Sequence, residues 1–370
     1  MRESAAERHD RLLALVRERG TARVSDLAGL LGVSPVTARR DVEALAARGL
    51  LDRVHGQVSW PRAQGAPSGL AGGGSGLVLG LLAPSATYYF AEVIRGAHEA
   101  AARAGARLIL RISDYRPEED RARAEGLLAA GAEGLLVAPG WRGPEDRLAY
   151  GDWPAELPVP AVLLERRAAP GTPLDGLDRV SSDHAHGVLL ALRHLLELGH
   201  ATPLLVARGD SPTALAVRAG YAEALAALGL EAPRAVIDSV PAETDPEGFE
   251  RAVRALHEAV ASGRASAALV HNDVDAIQMV QRLAELGVRV PEDLALIAYD
   301  DEVAALADIP LTAVAPPKRQ VGRHATELLV ERLVAGAGGG DEDEAVRRHL
   351  SLLPRLRVRA SCGASRTTAV

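Results

Sequence analysis

The sequence predicts an α/β protein made of two doubly wound lobes, preceded by a small helical head. Three observations predict it. From Leu77 onward, short apolar runs alternate with amphipathic stretches that end in glycine. Residues 61–76, PRAQGAPSGLAGGGSG, are rich in Pro, Gly and Ser with no hydrophobic period, which marks a flexible linker. Residues 1–60 carry helix-start signals at tight spacing. Strands that alternate with helices form parallel sheets covered on both faces, and about eleven such units suit two sheets better than one oversized one.

In the head, a first helix is expected over about Ala5–Arg19, with Leu12, Leu13 and Val16 inward and Gly20 as its stop. Ser25 is expected to cap a second helix carrying Leu27, Ala28 and Leu31 to Gly32. Ser34 then caps a third, with Pro35 at its first position, where a missing N–H costs nothing. Gly32–Val33 leaves room only for a tight turn, so the spacing is that of a helix-turn-helix. In the third helix Ala38, Val42 and Leu45 share an inward face, while Thr37, Arg40 and Asp41 face outward with Arg39 on the flank. Arginine suits guanine edges or phosphate, and threonine suits phosphate or a thymine methyl. Leu50–Val58, LLDRVHGQV, reads as a short β-hairpin wing turning at His55-Gly56, with Arg53 and His55 near phosphates.

In the body the apolar runs are Leu77–Ala83, Arg107–Ile112, Gly134–Ala138, Pro160–Leu164, Pro203–Ala207, Ala267–His271 and Leu294–Tyr299. Helices Ala91–Ala104, Glu118–Ala130 and Gly187–Leu198 run into Gly105, Gly131 and Gly199, as helix stops do. GAGGGDEDEA at 336–345 reads as a solvated loop before a last strand, Leu350–Arg359.

Composition narrows the function. Lys318 is the only lysine against 41 arginines, a bias that discounts any single arginine as a signal. Residues 1–62 carry 11 Arg against 8 Asp+Glu, and the remainder 31 Lys+Arg against 41. A basic head on an acidic body suits a head that meets a polyanion. The sole cysteine, Cys362, excludes an intrachain disulfide and a cysteine-based zinc site. No GxGxxG follows the first strand and no phosphate-loop motif occurs, so neither nucleotide chemistry nor a cofactor is expected. His184 and His186 are two apart without a metal-ligand pattern around them, so no metal is expected. Met1–Asp10 lacks the apolar core of a signal peptide, and no run approaches the roughly 18 apolar residues of a membrane span. The expected location is the cytoplasm, without membrane contact.

Candidate ligand residues follow from the ends of strands, where open α/β sheets present their binding loops. Asn272-Asp273 follow Ala267–His271, Asp300-Asp301 follow Leu294–Tyr299, and Glu165 follows Pro160–Leu164. Amide and carboxylate groups there can pair with vicinal hydroxyls. Asp273 reads as a helix N-cap, and Asp301 is open to the same role. Tyr88, Tyr89 and Phe90 hold three of the eleven aromatics and offer a wall for a sugar or base face; core packing is equally open to Phe90. Ser113, Asp114 and Trp141 are further cleft candidates.

Two resemblances join these readings. VSPVTARRDVEALAARGLLDRVHGQV resembles the winged helix-turn-helix of the deoxyribose-repressor (DeoR) family, over about 60 residues. Gln57 stands where that family usually has Gly. The resemblance implies operator binding on double-stranded DNA, usually as dimers or larger, with Ser34, Thr37, Arg39, Arg40, Arg53 and His55 at the DNA. Residues 77–361 resemble the sensor domain of lactose/galactose repressors (LacI–GalR), related to periplasmic sugar-binding proteins. The matching blocks include GLLAPSATYYFAEVIRGAHEAAARAG, VPAVLLER and HNDVDAIQMVQRLAELGVRVPEDLALIAYDD. This implies two Rossmann-like lobes joined by three crossovers, placed at 77–178 plus 316–340 and 179–315 plus 341–361 within a ligand-binding domain 77–370. It also implies ligand contacts at Asn272, Asp300 and Glu165. Two positions depart from the pattern. Val217 stands where a clamping Arg is usual, with Arg218 beside it, and Pro316 replaces a polar contact.

The expected function is a transcription regulator, a repressor and homodimer, controlled by a carbohydrate-like effector in the interlobe cleft. An enzyme using Glu165 and Asp300 as paired carboxylates, or a solute-binding protein, are the competing classes; both leave the head unexplained. The linker shows no hinge helix, so ligand must couple to DNA binding by another route.

Overall fold

The computed structural model describes residues 11, 12, 15, 16, 21–31, 33, 38, 41, 42, 52–54, 57–59 and 76–364, except 169, 202, 231–235 and 338–345. The chain forms two compact units, Met1–Gly73 and Gly74–Val370. Linker residues 61–75 lie outside the described residues.

The head's core is three i,i+4 pairs: Leu12 with Val16, Leu27 with Leu31, and Ala38 with Val42, joined by Ala28. Pairs four apart share a helix face, which is why these positions meet. Asp41, expected outward, is buried at 6% exposure. It lies three residues after Ala38 and beside Val42, so it falls on the inward stripe. Helix α1 (Val24–Leu31) directly follows strand β1 (Thr21–Arg23), so Ser25, expected as its cap, falls in the first turn. The Val33 amide bonds the Ala28 carbonyl at 3.0 Å and closes the helix. The wing's two strands are present: β2 (Asp52–Val54) pairs antiparallel with β3 (Gln57–Ser59), Val54 opposite Gln57, and the expected turn residues 55–56 lie outside the described residues. Strand β1 adds to β3, a third strand the pattern did not announce.

In the body, the first lobe is a six-stranded parallel sheet in the order β14-β8-β7-β6-β4-β5. Its strands are β4 (Val78–Ala83), β5 (Arg107–Ile112), β6 (Gly134–Val137), β7 (Ala161–Leu164), β8 (Asp178–Ser182) and β14 (His349–Leu352). Helices α2 (Tyr89–Arg103), α3 (Pro117–Ala129) and α4 (Pro144–Tyr150) connect them. The second lobe has the order β10-β9-β11-β12-β13-β15. Its strands are β9 (Leu204–Ala207), β10 (Ile237–Asp238), β11 (Ala267–His271), β12 (Ala295–Tyr299), β13 (Thr312–Ala315) and β15 (Arg355–Arg357), the last antiparallel. Helices α5 (His184–Glu197), α6 (Pro212–Ala227), α7 (Pro246–Ala261) and α8 (Asp273–Glu285) belong with it, and α9 (Lys318–Ala337) returns to the first lobe. Gly105, Gly131 and Gly199 end their helices with φ of 65°, 90° and 94°. Among the described residues no helix is long and apolar enough to cross a membrane.

The lobe boundaries differ from expectation in two places. Strand β8, expected in the second lobe, pairs with β7, and the chain crosses only after Ser182. Residue Asp178 anchors it, bonded to Arg332 on α9 at 2.6 and 2.9 Å and to the Arg348 amide at 2.7 Å. The single last strand expected over Leu350–Arg359 is two strands in different sheets: β14 pairs with β8 and β15 with β13. Pro354 sits at the break, where it has no N–H for a ladder. Three crossings therefore join the lobes, after β8, after β13 and between β14 and β15.

Helices α2 and α9 touch backbone to backbone. A Cβ at Gly322 would lie 1.9 Å from the Val93 carbonyl oxygen, and one at Gly96 1.9 Å from that of Arg319. Backbone cannot step aside as a side chain can, so G322A should cost roughly 1–3 kcal/mol. A urea titration that finds G322A as stable as the parent would refute this packing.

Candidate ligand cleft

The strands of both sheets end at loops whose backbone is held in costly conformations. Tyr88, Asp114, Tyr115, Glu165, Asp300 and Asp301 have φ of 51°, 54°, 55°, 52°, 94° and 55°. All follow β4, β5, β7 or β12. Non-glycine residues adopt this region rarely, and such strain concentrates at ligand sites.

On the first lobe, Glu165 is buried and fully engaged. Its Oε1 accepts from Tyr89 Oη and Ser182 Oγ, both at 2.8 Å, and its Oε2 from the Ser182 amide at 3.0 Å. Burial pulls its pKa upward, but His184, 3.8 Å away, and these donors hold the carboxyl below the usual range. Arg166, the next residue, is buried too. It donates to the carbonyls of Pro139 and Glu165 at 2.8 and 3.0 Å and lies 5.9 Å from the Phe90 ring centroid. Its Nη2 has no protein partner.

On the second lobe, Asp273 is fully buried. Its Oδ2 accepts from the amides of Glu302, Val303 and Ala304 at 2.6, 2.6 and 3.0 Å, and its Oδ1 from Tyr88 Oη at 2.5 Å. That last bond crosses between the lobes. Asp300 is buried with Oδ1 unpaired; Lys318 binds its carbonyl and the Glu302 carboxylate. Burial pushes the Asp300 carboxyl up to about 6, with Lys318 opposing and Asp273 reinforcing. His271 is buried with neither ring nitrogen bonded, and burial, aided by Arg208 and His184, pushes it down to about 3. Its imidazole is therefore neutral, one nitrogen a donor and the other an acceptor. His184 Nδ1 meets Tyr299 Oη at 3.0 Å, and His271 Nε2 lies 4.0 Å from Asp300.

The expected ligand residues separate into groups. Tyr88 Oη lies 3.5 Å from Asp300 Oδ2, and Glu165 is near enough to raise the Asp300 pKa. Tyr89 and Phe90 are core residues that hold Glu165 and Arg166 in place. Asn272 is the N-cap of α8, its Oδ1 accepting from the Asp275 amide at 3.2 Å, the role expected of Asp273. Asp114 does not join: its side chain is 68% exposed and 3.8 Å from Arg116. Arg218 bonds the carbonyls of Ala207 and Arg208 and Asp238, so its fork closes off the end of β9, while Val217 packs in the core. Asp301 pairs with Arg357 and Arg359 at 3.0 and 2.7 Å instead of capping a helix. Among the DNA candidates, Ser34, Thr37, Arg39, Arg40 and His55 lie outside the described residues, and Arg53 is placed by its backbone in β2. Sequence reasoning missed Arg166, Lys318, His271 and Arg208; the last grips Asp275 at 2.7 and 2.5 Å. Each is the last residue of a strand run or lies within three residues of one, which was the available signal.

A cavity of about 220 Å³ opens between the lobes. Trp141, Arg142, Glu165 and Arg166 line it from one side and Pro212 and Thr213 from the other. Among the described residues no cluster of three His, Cys, Asp or Glu is placed to hold a metal.

Asp300 holds its proton more tightly in the folded chain than in the unfolded one. Its stabilising contribution is full below the unfolded value of about 3.9 and fades as pH rises through about 6. Relative to the parent, D300N should gain roughly 2–3 kcal/mol between pH 4 and pH 7.5. Urea titrations at both pH values measure this, and a flat difference would contradict the raised pKa.

Comparison with known proteins matches the same two parts. The DeoR-like helix-turn-helix domain matches residues 8–64, and the periplasmic binding protein-like domain matches residues 192–362. The HTH-type transcriptional repressor PurR of Vibrio cholerae serotype O1 is 30% identical over 258 residues, covering 68% of this chain and 73% of that protein. A solved putative LacI-family regulator from Sanguibacter keddieii is 27% identical with a TM-score of 0.59, covering 78% of this chain and 99% of that one. The transcriptional regulator CelR in its cellobiose complex is 25% identical with a TM-score of 0.62, covering 89% and 91%. These are regulators rather than enzymes, and with a winged head, two crossed lobes and a polar cleft the chain belongs to the LacI-type family of transcriptional repressors, carrying a DeoR-like helix-turn-helix head.

Proposed function

We propose that this protein is a cytoplasmic, homodimeric repressor whose hold on a DNA operator is set by a small polyhydroxy ligand, a sugar or sugar derivative, between the lobes. One observation carries the ligand class. Asp300 Oδ1 and both ring nitrogens of His271 are buried at the end of the second sheet without protein partners. Buried polar atoms are nearly always bonded, so such a set marks where a ligand's polar groups belong. A carboxylate beside a neutral imidazole offers acceptors and a donor, which match vicinal hydroxyls. Glu165 and Tyr88 bound the same polar chain, and the Asn272 amide nitrogen is a further donor. The cellobiose complex of a structural relative supports the carbohydrate class. Arg218 and Asp114 take no part in this reading, because the first is committed to β9 and the second is exposed.

In the head, Ser34, Thr37, Arg39 and Arg40 are proposed to read the major groove, and Arg53 and His55 to meet the phosphates. A dimer of such heads reads two half-sites set by their spacing. Ligand alters the lobe arrangement across the Tyr88–Asp273 bond and so shifts operator affinity by its preference for one arrangement.

Gel-shift titrations test both halves. R40A should weaken specific operator binding by roughly 1–3 kcal/mol. Unchanged binding removes Arg40 from the interface. A screen in which no sugar or sugar derivative changes operator affinity overturns the regulatory reading.

A further inference from the structure

The interlobe cavity has a character that hydroxyl recognition leaves unexplained. Four arginines, Arg142, Arg147, Arg166 and Arg167, line it against one carboxylate, Glu165. Glu165 is already engaged by Tyr89 and Ser182, and Arg147 by Asp152 at 3.3 Å. Arg142 and Arg167 have no carboxylate partner among the described residues. Arg166 is 6% exposed, and its Nη2 is unbonded. Trp141 is 4% exposed, and its Nε1 is unbonded as well. Both are obligate donors, so only an acceptor can satisfy them. Leaving a guanidinium nitrogen buried and unpaired is costly, and an anion relieves that cost with charge-assisted bonds.

The opposite wall adds to the same field. Helix α6 begins at Pro212 and points its N-terminus at the cavity, through Pro212 and Thr213. In its first turn Pro212 has no N–H, the Ala214 amide bonds Ser211 Oγ, and the Leu215 amide bonds the Ser211 carbonyl. The Thr213 amide is left as that turn's donor. Helix N-termini favour anions through such amides and the helix dipole.

We propose that the effector carries an oxyanion, a phosphate or carboxylate on a polyhydroxy body, and that this group sits between Arg166, Arg142, Trp141 Nε1 and the start of α6. The inference rests on the ligand-controlled reading above and adds the ligand's charge. Because the anion touches both lobes, it also favours their closure over that wall.

The test uses the full chain and inorganic phosphate as probe, at constant ionic strength set with KCl. Phosphate should raise the melting temperature of the parent protein, as binding to the native state does. R166Q should lose that shift. Arg142 and Arg167 are exposed, so R142Q/R167Q carries the test if R166Q does not fold, and it should weaken phosphate binding at least about tenfold. Equal phosphate shifts in parent and variant, or none in either, overturn the anion site. Gel shifts with glucose, gluconate and glucose 6-phosphate then separate carboxylate from phosphate. Neutral sugar releasing operator without any phosphate binding would overturn this inference and leave the regulatory reading standing. Phosphate binding without effect of any compound on operator affinity would do the reverse.

Discussion

A single buried carboxylate organises the cleft. Asp273 gathers three consecutive amides, of Glu302, Val303 and Ala304, onto one oxygen and offers the other to Tyr88. The first three bonds fix the loop after β12, and with it the place of Asp300 and of the Lys318 contact. The fourth reaches the other lobe. Burying a carboxyl group is tolerable only when its oxygens are hydrogen-bonded, and here both are. Part of the relation between the two lobes is thus written into this hydrogen-bond set, beside the Lys318 and His184 contacts, and such contacts can separate two lobe arrangements when lost or gained.

The two sides of the cleft are built differently. Glu165 accepts three hydrogen bonds from Tyr89 and Ser182, which hold its carboxylate in place. Asp300 Oδ1 and both ring nitrogens of His271 are buried without protein hydrogen-bond partners, which is costly. Arg166 is intermediate, three of its directions fixed by carbonyls and the Phe90 ring, with one nitrogen free. A site with this mix gains specificity because a wrong ligand leaves polar groups unpaired.

The arginines illustrate how composition and structure interact. Among the described residues many arginines sit in exposed ion pairs, as between Arg289 and Asp293 or Arg282 and Glu250. Arg166 differs only by burial, and burial is a tertiary property. The family's usual clamping position holds Val217, packed in the core, while Arg218 ties down the end of β9. A cationic cavity wall from the first lobe thus stands in a chain whose second lobe carries Val217 where the family resemblance implies an arginine.

The sequence determined the alternation of strands and helices, the glycine stops, the helix-turn-helix spacing and the strand-end positions of Glu165 and Asp300. These follow from local rules: side-chain periodicity, φ preference and chain direction. It could not assign β8 or divide the last strand, because DRVSS is too polar and short to announce itself and sheet membership depends on partners far along the chain. Nor could it tell that Asn272 rather than Asp273 caps α8, that Asp41 points inward, or that Arg218 turns to the backbone. Those outcomes depend on which atoms end up buried together and must be satisfied there. Only the tertiary structure sets that, since a local pattern says which side chains reach a strand's end but not what they meet.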